Sequence, residues 1–260
     1  MCRLFAMLSP DAQAPYRALV SAPNALVRQA QRCSDGCGLS LTVAGQTGER
    51  FVHWKAVESA AASARFRELA RHRTRLLVGH LRYGTVGARD CAHTHPFVQP
   101  HLVLAFQGVL GKAWRRQMRG ELAEHGDNGA VTLSPVQGQT SGELLTAWLS
   151  CWIQQGELAD PSRVIRTQLA RLVAAPAGIT GLSLVAAQAD RRGLRLYAFR
   201  CGPDAQAGPL ACRQGRALVL ASRPTDRAAG WSALPNGVLL SGTVAPWAET
   251  LTVHLAPLSA

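Results

Sequence analysis

The stretch TSGELLTAWLSCWIQQ, residues 140–155, sets the order of elements along this chain. Leu144, Leu145, Trp148, Leu149 and Trp152 recur at three- and four-residue steps, which places one apolar stripe along a helix. Thr140 and Glu143 stand at capping-box spacing where that helix begins. A second helix is expected over 161–174, with Pro161 in its first turn, where a missing N–H costs nothing. Strands are read on both sides of this helical pair. Before it they fall at 2–8, 34–45, 48–57, 75–87 and 101–111. After it they fall at 182–188, 194–200, 217–223, 237–242 and 251–256. Residues 15–31 read as a helix with Leu19, Val20, Leu26 and Val27 on its apolar face. Residues 58–73 also read as helical, and the polar stretch 119–139 reads as loop. Strands, two helices, then strands predict an α+β fold of two antiparallel sheets packed face to face with helices outside. No repeat, linker or composition break divides the sequence, so one domain over 1–260 is expected.

Composition narrows the classes of function. The chain has 260 residues, and 47% of them are hydrophobic, enough for a packed core. Its net charge is +12, yet only Lys55 and Lys112 are lysines, and the arginines are scattered from Arg3 to Arg227. Scattered charge reads as solvated surface, so a nucleic-acid partner ranks last. No run of about 18 apolar residues is present, so no membrane span is expected. The seven cysteines are an odd count, and there is no secretory signal. That combination predicts reduced thiols and a cytoplasmic location. Cys33 and Cys37 lack a second pair of ligands downstream and read as buried thiols. His93 and His95 lack a third ligand, so neither a metal nor another cofactor is expected.

Cys2 carries the chemistry. A cysteine behind the initiator methionine becomes the first residue once Met1 is removed. Its thiol and a free α-amine then share one residue. An α-amine has a pKa near ~8, so a useful fraction is neutral at pH 7 and serves as base for its own nucleophile.

The segments MCRLFAM, SDGCGL, GHLRYGTVG, HTHPF, AFQGVL, TSGELL and ASRP follow in the order and spacing of the class II glutamine amidotransferase domain. The chain resembles the stand-alone members of that N-terminal-nucleophile (Ntn) hydrolase family, including the type that hydrolyses γ-glutamyl amides in ergothioneine biosynthesis. The resemblance spans roughly residues 2–240. It implies a four-layer αββα sandwich. It implies that Cys2 is the nucleophile and that Arg82, in the loop Arg82-Tyr83-Gly84-Thr85, binds a substrate carboxylate, with Tyr83 and Thr85 beside it. A guanidinium fork suits that task because its charge-assisted bonds orient a carboxylate strongly. His95 matches a histidine that lines the family pocket.

Two positions depart from the pattern. The family carries His-Asn-Gly where this chain has Phe106-Gln107-Gly108, so the expected oxyanion donors are Gly108 N–H and the longer Gln107 amide. An oxyanion donor lost outright costs about 3 kcal/mol of transition-state stabilisation. The family also carries an aspartate for the substrate ammonium where this chain has Ser141. The resemblance thus implies an amide hydrolase or amidotransferase that binds free glutamine poorly. Its partners would be a small-molecule amide and a separate synthase or ammonia-accepting subunit, with a homo-oligomer left open. The rival readings are a catalytically impaired binding subunit and an arginine-rich nucleic-acid binder.

Overall fold

The computed structural model describes residues 2–33, 35–46, 48–84, 88–127, 131–137, 140–156, 160–175, 179–202, 210–246 and 248–258. Among them the strands form two antiparallel sheets. The first contains β1 (Arg3–Gln13), β2 (Gly36–Gly45), β3 (Gly48–Ala56), β4 (Thr74–Arg82), β9 (Ala211–Gln214), β10 (Leu218–Ala221) and β11 (Ser232–Ala233), in the order β11-β9-β10-β1-β4-β2-β3. The second contains β5 (Phe97–Gln99), β6 (Leu102–Leu110), β7 (Ile179–Asp190), β8 (Gly193–Cys201), β12 (Val238–Val244) and β13 (Thr252–Pro257), in the order β13-β12-β8-β7-β6-β5. Helices α1 (Leu26–Gln29) and α2 (Ala64–Leu69) lie on the first sheet; α3 (Lys112–Asp127), α4 (Ser141–Gln155) and α5 (Pro161–Ala174) lie on the second.

Side-chain alternation along the strands builds three apolar layers. On β1, Leu4, Ala6 and Leu8 enter the core between the sheets, while Phe5 and Met7 point to the helices outside. Leu76 and Val78 of β4, Val103 and Ala105 of β6, and Val185 and Ala187 of β7 meet them from their own strands. Leu104 and Phe106 face the other way, toward Leu145, Trp148 and Leu149 of α4. The result is the expected α+β sandwich, with helix layers outside two antiparallel sheets.

The long strands and α4 and α5 lie close to where the sequence puts them. Thr140 caps α4 by accepting the Glu143 N–H at 3.4 Å. The other half of the box differs, because Glu143 Oε1 accepts the Gln137 N–H at 2.7 Å. Three helical readings need correction. The helix expected over 15–31 is broken into a π turn at Arg17–Ser21, α1, and a 3-10 turn at Ala30–Arg32. Pro23 causes the break: it pushes the preceding residue out of the helical region, and Ala22 has ψ 157. Leu19, Leu26 and Val27 are buried as expected, whereas Val20 is half-buried. The helix expected over 58–73 shortens to α2, started by Ser63 Oγ, which accepts the Phe66 N–H at 3.1 Å. The loop expected over 119–139 is helical through Asp127, the second half of α3; among the described residues of that stretch, 131–137 lack regular structure. Strands β5, β9 and β11 were not foreseen; each is four residues or fewer.

The α3 stripe begins before the polar stretch does. Trp114, Met118 and Leu122 repeat every fourth residue, and the first two are buried. Glu121 then ties three helices together. Its Oε2 accepts the indole N–H of Trp148 at 2.7 Å and of Trp152 at 3.2 Å. Its Oε1 accepts Arg171 at 2.8 Å and Gln117 at 2.9 Å. Burial works against the charged carboxylate, but the bonds from Gln117, Trp148 and Arg171 outweigh it and hold Glu121 below the ordinary carboxylate range. A folded value below the unfolded one means stability that is present above the unfolded pKa, about 4.3, and lost as pH falls through the folded value. We expect Glu121→Gln to lower stability at pH 7 by about 1.5–3 kcal/mol in urea titration, the range for hydrogen bonds to a charged group. The gap between wild type and variant should narrow below about pH 4.

Candidate active site

Continuing the alternation to the strand ends brings the chemistry together. Cys2 extends the inward series Leu4, Ala6, Leu8, while His80 and Arg82 extend Leu76, Val78. The β1–β4 register pairs Arg3 with Leu81, which sets Cys2 beside Arg82. The Tyr83 N–H donates to Cys2 Sγ at 3.3 Å, and the Sγ lies 3.6 Å from Tyr83 O. Burial pushes the Cys2 thiol up from its ordinary range, while the Tyr83 backbone and the Arg82 charge pull it down. Ser222 fixes the strand behind the sulfur. Its Oγ accepts the Leu4 N–H at 2.8 Å, and its own N–H donates to Leu4 O at 2.9 Å. Arg3 Nη1 adds a bond to Cys2 O at 3.0 Å.

Arg82 is buried, and its Nη1 donates to Ala88 O at 2.7 Å. The loop after it is held by Asp35. One Asp35 oxygen accepts the Gly84 N–H at 2.8 Å, and the other pairs with Arg89. The Asp35 N–H donates to Arg82 O at 3.3 Å. Tyr83 reaches the site through its backbone; its side chain is exposed. Thr85 lies outside the described residues.

His95 sits behind the site rather than on an open wall. Its ring centroid is 4.2 Å from that of His80 and 4.3 Å from that of Phe97. Both imidazoles are buried, and among the described residues their ring nitrogens have no hydrogen-bond partner. Burial pulls His80 down to about 3 and His95 well below the usual imidazole range, so both rings are neutral. The charge on this inner face therefore rests on Arg82. On the far side of His95, Gly142 packs so close that a Cβ there would lie 2.5 Å from Nε2 and 3.3 Å from Phe106. The contacts run from Cys2 through Tyr83, Arg82, His80, His95 and Gly142 to Phe106, so β4 and β6 present these ends on one side of the sandwich.

Gln107 is buried and stands opposite Ser183 in the β6–β7 register. By alternation it points between the sheets, as Val103 and Ala105 do. Gly108 has φ 147, and a Cβ there would lie 2.3 Å from Gly181 O, so the position accepts only glycine. Ser141 Oγ accepts the Leu110 N–H at 3.5 Å, closing the end of β6 against the start of α4. His93 is tied into its own turn: its N–H and its Nδ1 meet Asp90 Oδ1 at 2.8 and 2.6 Å. No cluster of three metal-binding side chains occurs among the described residues. No described helix is long and apolar enough to cross a membrane.

Three positioning residues escaped the sequence reading. His80 was visible as a polar residue in the inward series of β4. Asp35 was visible in the turn before β2. Ser222 had no local signal, because its contact spans 218 positions of sequence.

The comparisons concern the family and the fold. A family model described as glutamine amidotransferases class-II matches residues 1–188. Three solved structures share the fold, each at 19% identity. Glutamine phosphoribosylpyrophosphate amidotransferase from B. subtilis aligns with TM-score 0.62 over 99% of this chain and 49% of its own. A structure described as the allosteric regulatory enzyme of purine biosynthesis aligns with TM-score 0.64 over 99% and 49%. A glutamine aminotransferase class-II domain protein from Silicibacter pomeroyi aligns with TM-score 0.64 over 100% of both chains. The present chain spans about half the length of the first two. No curated protein sequence matches. With the family model covering most of its length, the chain belongs to the class II glutamine amidotransferases.

Proposed function

We propose that this chain is a cytoplasmic N-terminal-cysteine hydrolase of a γ-glutamyl-type amide in small-molecule metabolism, built as one domain over 1–260 and needing no cofactor. The observation that supports this most is the Cys2 sulfur held 3.3 Å from the Tyr83 N–H and next in register to buried Arg82. After removal of Met1, the Cys2 α-amine takes the thiol proton. The thiolate adds to the amide carbonyl, and Gly108 N–H with the Gln107 amide receives the oxyanion. The leaving nitrogen takes the proton as the C–N bond breaks. Water then cleaves the thioester and frees the acid. Arg82, with Tyr83 and Thr85, holds the acyl group by its carboxylate.

The specificity follows from what Ser141 lacks. An aspartate there would pair with a substrate ammonium; a hydroxyl that already accepts the Leu110 N–H gives no such charge. An amide whose α-amine is blocked or absent suits the site better than free glutamine. Ammonia or amine released at the site goes to solvent or to a separate accepting subunit. A second reading, a binding subunit with impaired catalysis, draws on the longer Gln107 side chain at the oxyanion position.

Intact mass should find the purified chain shortened by Met1. Turnover of N-acetyl-L-glutamine should exceed that of L-glutamine at least tenfold in kcat/KM, and Cys2→Ala should abolish both. A retained Met1, or unchanged turnover in Cys2→Ala, would sink the catalytic reading. Arg82→Gln should raise KM much more than it lowers kcat, because it removes binding shared by ground and transition states. A variant with unchanged KM would remove Arg82 from the substrate site.

A further inference from the structure

A second cavity, of about 350 Å³, lies on the other side of the Thr94–Pro96 segment. Neither Cys2 nor Arg82 lines it. It runs between β3 and β5, with α4 and residues 134–137 closing one flank. Its size is within the range of pockets that enclose small organic ligands. The walls are mixed in a specific way. Trp54, Pro96, Phe97 and Pro135 supply apolar surface, and one cation and one anion stand among them: Lys55 and Glu143.

Lys55 Nζ donates to Thr94 O at 3.1 Å and sits 5.3 Å from the Phe97 ring centroid. That bond uses one of the three N–H directions of an ammonium. Burial pulls the Lys55 ammonium below its ordinary range, while Cys91, Glu143 and Asp90 work to hold it up. Glu143 is buried, and its Oε1 accepts the Gln137 N–H at 2.7 Å. His53 stands on the floor with Nδ1 2.9 Å from Ser40 Oγ, and burial pulls it down to about 4, so it offers a neutral ring. A partly desolvated cation and a buried anion that line one cavity together with aromatic surface complement a molecule that carries both charges and an apolar group.

We propose that this cavity binds a zwitterionic amino acid, its carboxylate on Lys55, its ammonium toward Glu143 and its apolar side chain against Trp54 and Phe97. The site is independent of the Cys2 chemistry and of the substrate proposed for it. It contains none of the reacting groups proposed for that site.

Calorimetric titration of the full chain with L-phenylalanine tests this. One saturable site is expected. 3-Phenylpropionate, which lacks the ammonium, and phenethylamine, which lacks the carboxylate, should each bind at least tenfold more weakly. Lys55→Met should weaken L-phenylalanine at least tenfold. Val98→Trp, at a solvent-accessible cavity position, should block it while leaving the fold intact by circular dichroism. Cys2→Ala, and saturation with N-acetyl-L-glutamine, should leave the affinity unchanged. The proposal is overturned by the absence of saturable heat at millimolar L-phenylalanine. It is equally overturned by full affinity in a folded Lys55→Met or Val98→Trp protein, or by loss of binding in Cys2→Ala. None of these results depends on whether the Cys2 site turns over an amide.

Discussion

The Tyr83 N–H directed at the Cys2 sulfur is the contact on which the geometry of the site depends. It exists because β1 and β4 pair in a register that sets their inward residues side by side. A slip of one residue would turn Cys2 toward the outer helices and put Arg3 between the sheets. Three features oppose that slip. The central core needs Leu4, Ala6 and Leu8 together with Leu76 and Val78. Ser222 bonds both the N–H and the C=O of Leu4 from the other flank. Glycines at 36 and 38 of β2 leave room for the Thr94–Pro96 segment, which closes over that strand. The register of an apolar core thus becomes the position of a sulfur atom.

Electrostatics then divides the labour. Burial disfavours a thiolate at Cys2, and neutral His80 and His95 do nothing to offset it. The favourable terms come from the Tyr83 backbone dipole, the charge of the chain-end amine and the Arg82 guanidinium. Such an arrangement suits a nucleophile that is deprotonated only as it reacts, by a base on the same residue, rather than one resting as an anion. Two neutral imidazoles packed on each other also keep like charge away from Arg82. The same ring, His95, meets Gly142 of α4, so the helix start and the guanidinium strand are braced by one packed unit.

The sandwich was legible because it is written in periods of two and of three to four. The alternation of β1, β4, β6 and β7 and the stripe of α4 are local signals. Where the reading failed, the cause was specific. Pro23 divides a stretch whose spacing alone looks helical. In α3 the apolar residues are few and the charges many, and Glu121 is understood only once Trp148, Trp152 and Arg171 come to it from other helices. Of the candidate site, Cys2 and Arg82 come side by side through the β1–β4 register. His95 was legible as a motif residue but not as a buried packing ring. Asp35 and Ser222 stand in the quoted segments SDGCGL and ASRP, but their work was not legible there, since it is to bond backbone far away in sequence.

The two departures from the family pattern belong to one structural unit. Gln107 and Gly108 lie near the end of β6, and Ser141 Oγ takes the N–H of Leu110, the last residue of that strand. A carboxylate at 141 would accept that N–H too, but it would also bring a negative charge to the strand end beside the proposed oxyanion donors. A developing oxyanion is stabilised by donors and penalised by nearby negative charge. On the proposed reading, serine at 141 gives up a grip on a substrate ammonium and removes a negative charge from the neighbourhood of the oxyanion donors. On the proposed reading this exchange is coherent: a longer, less favourably placed Gln107 amide is tolerable when no carboxylate competes beside it.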